Sequence, residues 1–186
     1  YDGDGIADIL WHNSTTSEIG MFRYRWGTTT WVPIGIGAPG GTVLGSGDFN
    51  GDGTTDILWY NAASRFLGIF QMNNAVPSWV PVGPVAAGWS FASTGDYDGD
   101  RTTDILWRQD ATGFLGMYRM VQNTPFWMSI APAPGWTVGA SGDYNGDGTT
   151  DILLYSGANV GMFQMNNGVP TWVGIGGGAA GWVPVK

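Results

Sequence analysis

Cysteine is absent from the 186 residues, which removes disulfides, thiolate metal sites and a cysteine nucleophile together. Lysine occurs only at Lys186 and the six arginines are scattered. No basic stripe is therefore present to follow a phosphate backbone, and nucleic acid is not an expected partner. The one histidine, His12, allows neither a two-histidine relay nor a histidine zinc site. No apolar run approaches the roughly 18 residues of a membrane-spanning helix, so no membrane insertion is expected, and no charged-then-apolar leader opens the chain. The first residue is Tyr1 rather than Met, which is compatible with removal of an upstream segment on secretion.

Against these absences stands a concentration of acid. Thirteen of the fifteen acidic residues fall in four short stretches: Asp2, Asp4 and Asp8; Asp48, Asp52 and Asp56; Asp96, Asp98, Asp100 and Asp104; Asp143, Asp147 and Asp151. Only Glu18 and Asp110 lie elsewhere. Carboxylates packed so closely repel one another unless a cation offsets them, so the clustering points to metal rather than to a solubilising surface. The formal charge of −8 would be balanced by four divalent ions.

The stretches are periodic. Asp8, Asp56, Asp104 and Asp151 are separated by 48, 48 and 47 residues, a spacing of propeller blades or stacked repeats. "DILW" or "DILL" follows each of them. Then come "IGMF", "LGIF", "LGMY" and "VGMF" from Ile19, Leu67, Leu115 and Val160, and "WVPIG", "WVPVG", "WMSIA" and "WVGIG" from Trp31, Trp79, Trp127 and Trp172. The apolar segments are short, rich in Ile, Val and aromatic residues, and bounded by Gly, Asn and Pro. That is a strand signature, and the expected class is all-β. In the second repeat, strands are predicted at Thr42–Gly47, Ile57–Asn61, Phe66–Met72 and Trp79–Val82, with Asn73–Ser78 as the turn between the last two. Four antiparallel strands per repeat predict a β-propeller of four-stranded blades, as one domain over 1–186 with repeats at about 1–41, 42–89, 90–136 and 137–182. Residues 181–186 align with the start of a blade and are expected to complete the first one, Trp182–Val185 pairing beside the strand after Asp8. A four-bladed ring, half of an eight-bladed homodimer and a piece of a larger ring all fit the spacing.

In the second repeat, Asp48, Asn50, Asp52 and Asp56 supply hard oxygen donors, and Thr54 can add its backbone carbonyl. This is a donor set for Ca2+ rather than for zinc or copper. Gly53 provides the positive-φ turn that wraps an ion. The loop is shorter than an EF-hand, which would place a bidentate Glu where Trp59 stands. The pattern D-x-[DN]-x-D-G-x-x-D, followed by "ILW" and recurring in four phased copies, resembles the FG-GAP or VCBS repeats of integrin-α-like propellers. The resemblance implies an extracellular calcium-binding propeller, of a kind found in adhesion proteins, some lectins and accessory domains of secreted enzymes. It also implies ligand roles for Asp143, Asn145, Asp147, Thr149 and Asp151. In the third repeat it implies them for Asp96, Asp98, Asp100, Thr102 and Asp104, where Arg101 replaces the turn glycine and a weaker site is expected. In the first, Asp2, Asp4, Ile6 and Asp8 form a set lacking its first position.

Catalysis has little to work with. His12 reads as an ordinary strand side chain, and paired carboxylates are plentiful only in the metal loops, where both stay ionised. No enzymatic activity is expected. Binding is better served by eleven tryptophans, since aromatic faces stack on sugar rings. Trp11, Trp59 and Trp107 and the series Trp31, Trp79, Trp127 and Trp172 read first as packing between blades, and the series reads second as a ligand surface. Asn73, Asn74, Asn123, Asn166 and Asn167 read as turn formers that double as candidates for hydrogen bonds to sugar hydroxyls. The expectation is a calcium-stabilised, secreted or extracellular binding module for glycans or glycoproteins. Its alternatives are a protein-adhesion module like the integrin propeller and a non-catalytic accessory domain of a secreted enzyme.

Overall fold

A computed structural model describes residues 1–177, which form fifteen strands and no helix. Each repeat makes one antiparallel meander. The first sheet orders β1 (Ile9–His12), β2 (Glu18–Arg25) and β3 (Thr28–Ile36). The second orders β4 (Gly41–Gly47), β5 (Asp56–Asn61), β6 (Phe66–Asn73) and β7 (Val76–Pro84). The third comprises β8 (Trp89–Gly95), β9 (Asp104–Gln109), β10 (Phe114–Val121) and β11 (Thr124–Pro132). The fourth comprises β12 (Thr137–Gly142), β13 (Asp151–Ser156), β14 (Asn159–Asn166) and β15 (Val169–Gly177). Four-stranded meanders of this kind are the sheets of propeller blades. The predicted pairing of Trp182–Val185 with the first blade lies outside the described residues.

The second repeat departs from its predicted strands at one place. The hairpin between β6 and β7 is tighter than a six-residue turn: Asn73 pairs with Val76, leaving Asn74 and Ala75 as the whole loop, both at positive φ (48° and 67°). Two-residue turns of this hand match the twist of the flanking strands, which a longer loop would not impose. The same geometry recurs at Trp26–Gly27, Gln122–Asn123 and Asn167–Gly168. Proline explains which strands end the sheets. Every proline inside a described strand lies in β3, β7, β11 or β15, where a missing N–H need break no ladder bond.

The chain divides into two compact units, one from Tyr1 to Ala87 and one from Gly88 onward. In the first, Ile19, Met21 and Ile34 of one sheet pack with Ile57, Trp59, Phe70 and Met72 of the other. In the second, Leu106, Leu115 and Met117 pack with Ile152, Leu154, Phe163 and Met165. Each unit thus hides two sheet faces in a common apolar core, the main source of its stability.

The tryptophans divide by register. Trp59 is buried and meets His12 of the neighbouring sheet edge-on, with ring centroids 5.1 Å apart, so it does pack between sheets. His12 is there a strand side chain. The series Trp31, Trp79, Trp127 and Trp172 behaves otherwise. Each indole lies across its own sheet, over Gly20, Gly68, Gly116 and Gly161 respectively, and edge-on to the aromatic ring at Phe22, Phe70, Tyr118 or Phe163. The expected packing of these four between blades is therefore replaced by packing within a sheet. A β-strand glycine leaves a groove that a diagonal partner can fill, and here the indole does so.

Candidate metal loops

The four acidic stretches are the connections that enter β1, β5, β9 and β13. In the second repeat the Asp48 carboxylate accepts hydrogen bonds from the backbone N–H groups of Gly51 (2.7 Å), Asp52 (3.1 Å) and Gly53 (2.8 Å). The Asn50 side chain accepts from the Asp52 N–H, and Asp52 accepts from that of Thr54. Each side chain caps the backbone ahead of it, which curls the loop. The fourth repeat reproduces these bonds with Asp143, Asn145 and Asp147. Gly53 and Gly148 have φ of 83° and 89°, as a tight wrap requires. Arg101 takes the same conformation in the third repeat, at 71°, so the loop shape survives there at a conformational cost.

The last aspartate of each complete loop is a structural anchor as well. Asp56, Asp104 and Asp151 are fully buried. Each accepts one backbone N–H from its own loop and one from the neighbouring strand: Phe49 and Met72, Tyr97 and Met120, Tyr144 and Met165. Burial raises the Asp56 carboxyl to about 6 against the lowering effect of its two N–H donors, and nearby Asp52 and Asp48 add to the rise. Burial, with the charges of Asp98 and Asp100, carries Asp104 to about 8. Asp147 moves the other way, lowered by the Thr149 N–H and the Asn145 amide. Asp56 and Asp104 therefore sit where negative charge is disfavoured, which is what a bound cation relieves.

In the third repeat, oxygens of Asp96, Asp98 and Asp104 lie within 4.8 Å of one another. Oxygen donors alone at such separations fit Ca2+, whose bonds are about 2.3–2.6 Å. When bound, calcium would be held by the carboxylates with the Asn amide oxygen where present, and would supply the positive charge that the loops lack. In the first repeat Asp2 and Asp4 cap their own loop, while Asp8 accepts from the backbone nitrogen of Tyr1 at 3.1 Å and from the Tyr24 N–H at 3.2 Å.

Sequence reasoning missed the arginines. Arg119 pairs with Asp98 and Asp100 across the third loop; in the first, Arg25 pairs with Asp2 (3.1 Å) and Asp4 (2.8 Å), and Arg23 approaches Asp2 at 3.7 Å. The signal was in the alignment of the repeats. Arg23 and Arg119 occupy one repeat position, whose other copies are Gln71 and Gln164. The arginine accompanies Asp at the loop's third position (Asp2, Asp98), and glutamine accompanies Asn (Asn50, Asn145).

The candidate ligand residues stay one set per sheet. Asn74 donates to Asn73 and Asn167 to Asn166, so these amides support their hairpins; Asn123 sits in the corresponding turn. The four indoles are 44–49% exposed, leaving part of each ring open to solvent. Among the described residues no helix is long and apolar enough to cross a membrane.

A family model of the FG-GAP-like repeat matches residues 1–59 and 48–107, together more than half of the chain. No curated protein matches it.

Proposed function

The chain belongs to the FG-GAP-like repeat family, and from that premise we propose that it is a calcium-stabilised, extracellular, non-catalytic binding module of the propeller type, with glycans as its leading ligand class. The observation that carries the calcium part is the repeated, self-capped acidic loop whose last aspartate is buried between two strands, together with the oxygens of Asp96, Asp98 and Asp104 that lie within 4.8 Å of one another. Bound calcium would hold the entrance of each β5-type strand to its neighbour and act as a staple. The glycan part rests on the four edge-strand indoles, partly open and repeated at one position per sheet. Weak stacking sites in a repeated layout gain affinity by multivalency.

A glycan array probed in calcium and again after chelation tests the reading. Defined sugar hits that vanish on chelation are expected. Silence from folded protein in both conditions would overturn the glycan part and favour protein adhesion as the role of the module.

A further inference from the structure

The repeats differ at one position that bears directly on a cavity. Gly40-Gly41, Gly88-Trp89 and Gly135-Trp136 are equivalent pairs, and the first glycine of each has nearly the same φ (76°, 78° and 77°). Trp89 stacks edge-on to Trp127 with centroids 4.8 Å apart, and Trp136 does the same to Trp172 at 4.9 Å. Gly41 gives Trp79 no such partner. In front of Trp79 lies a cavity of about 540 Å³, walled by Ile36, Gly37, Phe66 and Phe70. The corresponding space of the fourth repeat, lined by Trp136 itself together with Trp172 and Phe163, is about 300 Å³.

We infer that the second repeat holds a binding site for a planar aromatic ring of indole size, seated edge-on to Trp79 where Trp89 and Trp136 sit in the later repeats. The volume falls in the range of small-molecule sites. Its neighbour Trp59 covers the Cα of Gly41, so that any Cβ there would overlap the Trp59 ring; the position cannot fill the cavity from its own backbone unless Trp59 moves. The Asn61 amide of the wall is already engaged, while the buried Nε1 of Trp59, which also lines the cavity, has no hydrogen-bond partner. Asn61 accepts from the Ser64 N–H (3.0 Å) and hydroxyl (3.1 Å) and donates to the Pro39 carbonyl (2.9 Å). An aromatic wall with its amide bonded internally suits an apolar ring better than a polyhydroxylated one, whose hydroxyls would be left unpaired. The inference takes Trp79 out of the glycan surface and leaves that reading to Trp31, Trp127 and Trp172.

The test uses indole as the probe, followed by saturation-transfer NMR and isothermal titration on the whole chain. Saturable binding of one equivalent is expected, weakened at least tenfold by Trp79→Ala and by Phe66→Ala. Trp136→Gly should create a second equivalent against Trp172. Circular dichroism identifies variants that keep their strands, and either wall variant alone suffices. Absence of saturable binding by the folded wild-type protein, or binding unchanged in a folded wall variant, would overturn the inference. So would a simple methyl glycoside that displaces indole from this site. Indole binding with a silent glycan array would leave this site standing while the glycan reading fails.

Discussion

Gly68 has no side chain because Trp79 occupies the place where one would go. The same exclusion holds at Gly20, Gly116 and Gly161, and it explains a glycine in the middle of a strand, where that residue otherwise weakens the sheet. Gly68→Ala should destabilise the protein by about 1–3 kcal/mol, the usual cost of forcing a methylene into a filled space, read as a lower urea midpoint. An unchanged midpoint would mean that the indole swings aside freely. The recurrence of "IGMF" and its variants was legible in the sequence as a landmark. Its reason was not, since the partner lies across a strand pair and its diagonal register is visible only once β6 and β7 are paired. The buried aspartates make stability depend on pH. Asp56 and Asp104 stand at about 6 and about 8, above the ordinary carboxylate value near 4. The metal-free folded chain then holds protons that the unfolded chain releases, so this contribution is fully present below about pH 4 and is lost as pH rises through about 6 and about 8. In chelator, the urea midpoint should fall between about pH 5 and about pH 8; a rise would contradict these burial effects. Calcium needs the ionised form, so its affinity should increase over the same range.

The connecting loops and hairpins are elements that reuse one solution with local substitutions. Loop chemistry was legible in the sequence because its donors are consecutive and its capping bonds are local: Asp48 captures N–H groups three to five residues ahead. Arg119 was not legible in a single repeat, because it reaches the third loop from β10, nineteen residues beyond Asp100. The pairing is legible only across repeats, in Asp98 with Arg119 against Asn50 with Gln71. The close of the β6–β7 turn was not legible for a related reason. Asn, Pro and Ser suggested a loop through Ser78, but proline is tolerated on an edge strand and the pairing closes at Val76. Arg119 places a cationic group where an ion would neutralise the same carboxylates, so the two compete. Arg119→Gln, which copies the second and fourth repeats, should raise calcium affinity of the third loop severalfold in isothermal titration. Because the guanidinium is partly exposed, the effect on metal-free stability should be small. A weaker calcium response would assign Arg119 to building the loop rather than to rivalling the ion.

On the scale of the whole chain, the two-sheet cores stabilise each unit, while the acidic loops oppose it by confining charge of one sign. The all-β class and the repeat length were legible because side-chain alternation and turn residues recur with a fixed phase. The division into units of two repeats was not, since each core combines residues about 50 positions apart that belong to nominally equivalent strands, such as Met21 with Met72. Calcium ions that neutralise the loops would also secure strands within each sheet and bring the formal charge of −8 toward zero. A ligand that binds the folded state alone stabilises it by about 2.7 kcal/mol per site at a hundredfold excess over its dissociation constant. The most direct test is the thermal midpoint of the chain at neutral pH, in excess chelator and then in millimolar calcium, with magnesium at equal ionic strength as the control. A midpoint several degrees or more higher in calcium is expected, with little change in magnesium. Coincident melting curves in calcium and chelator would contradict it, leaving the aspartates as turn formers alone.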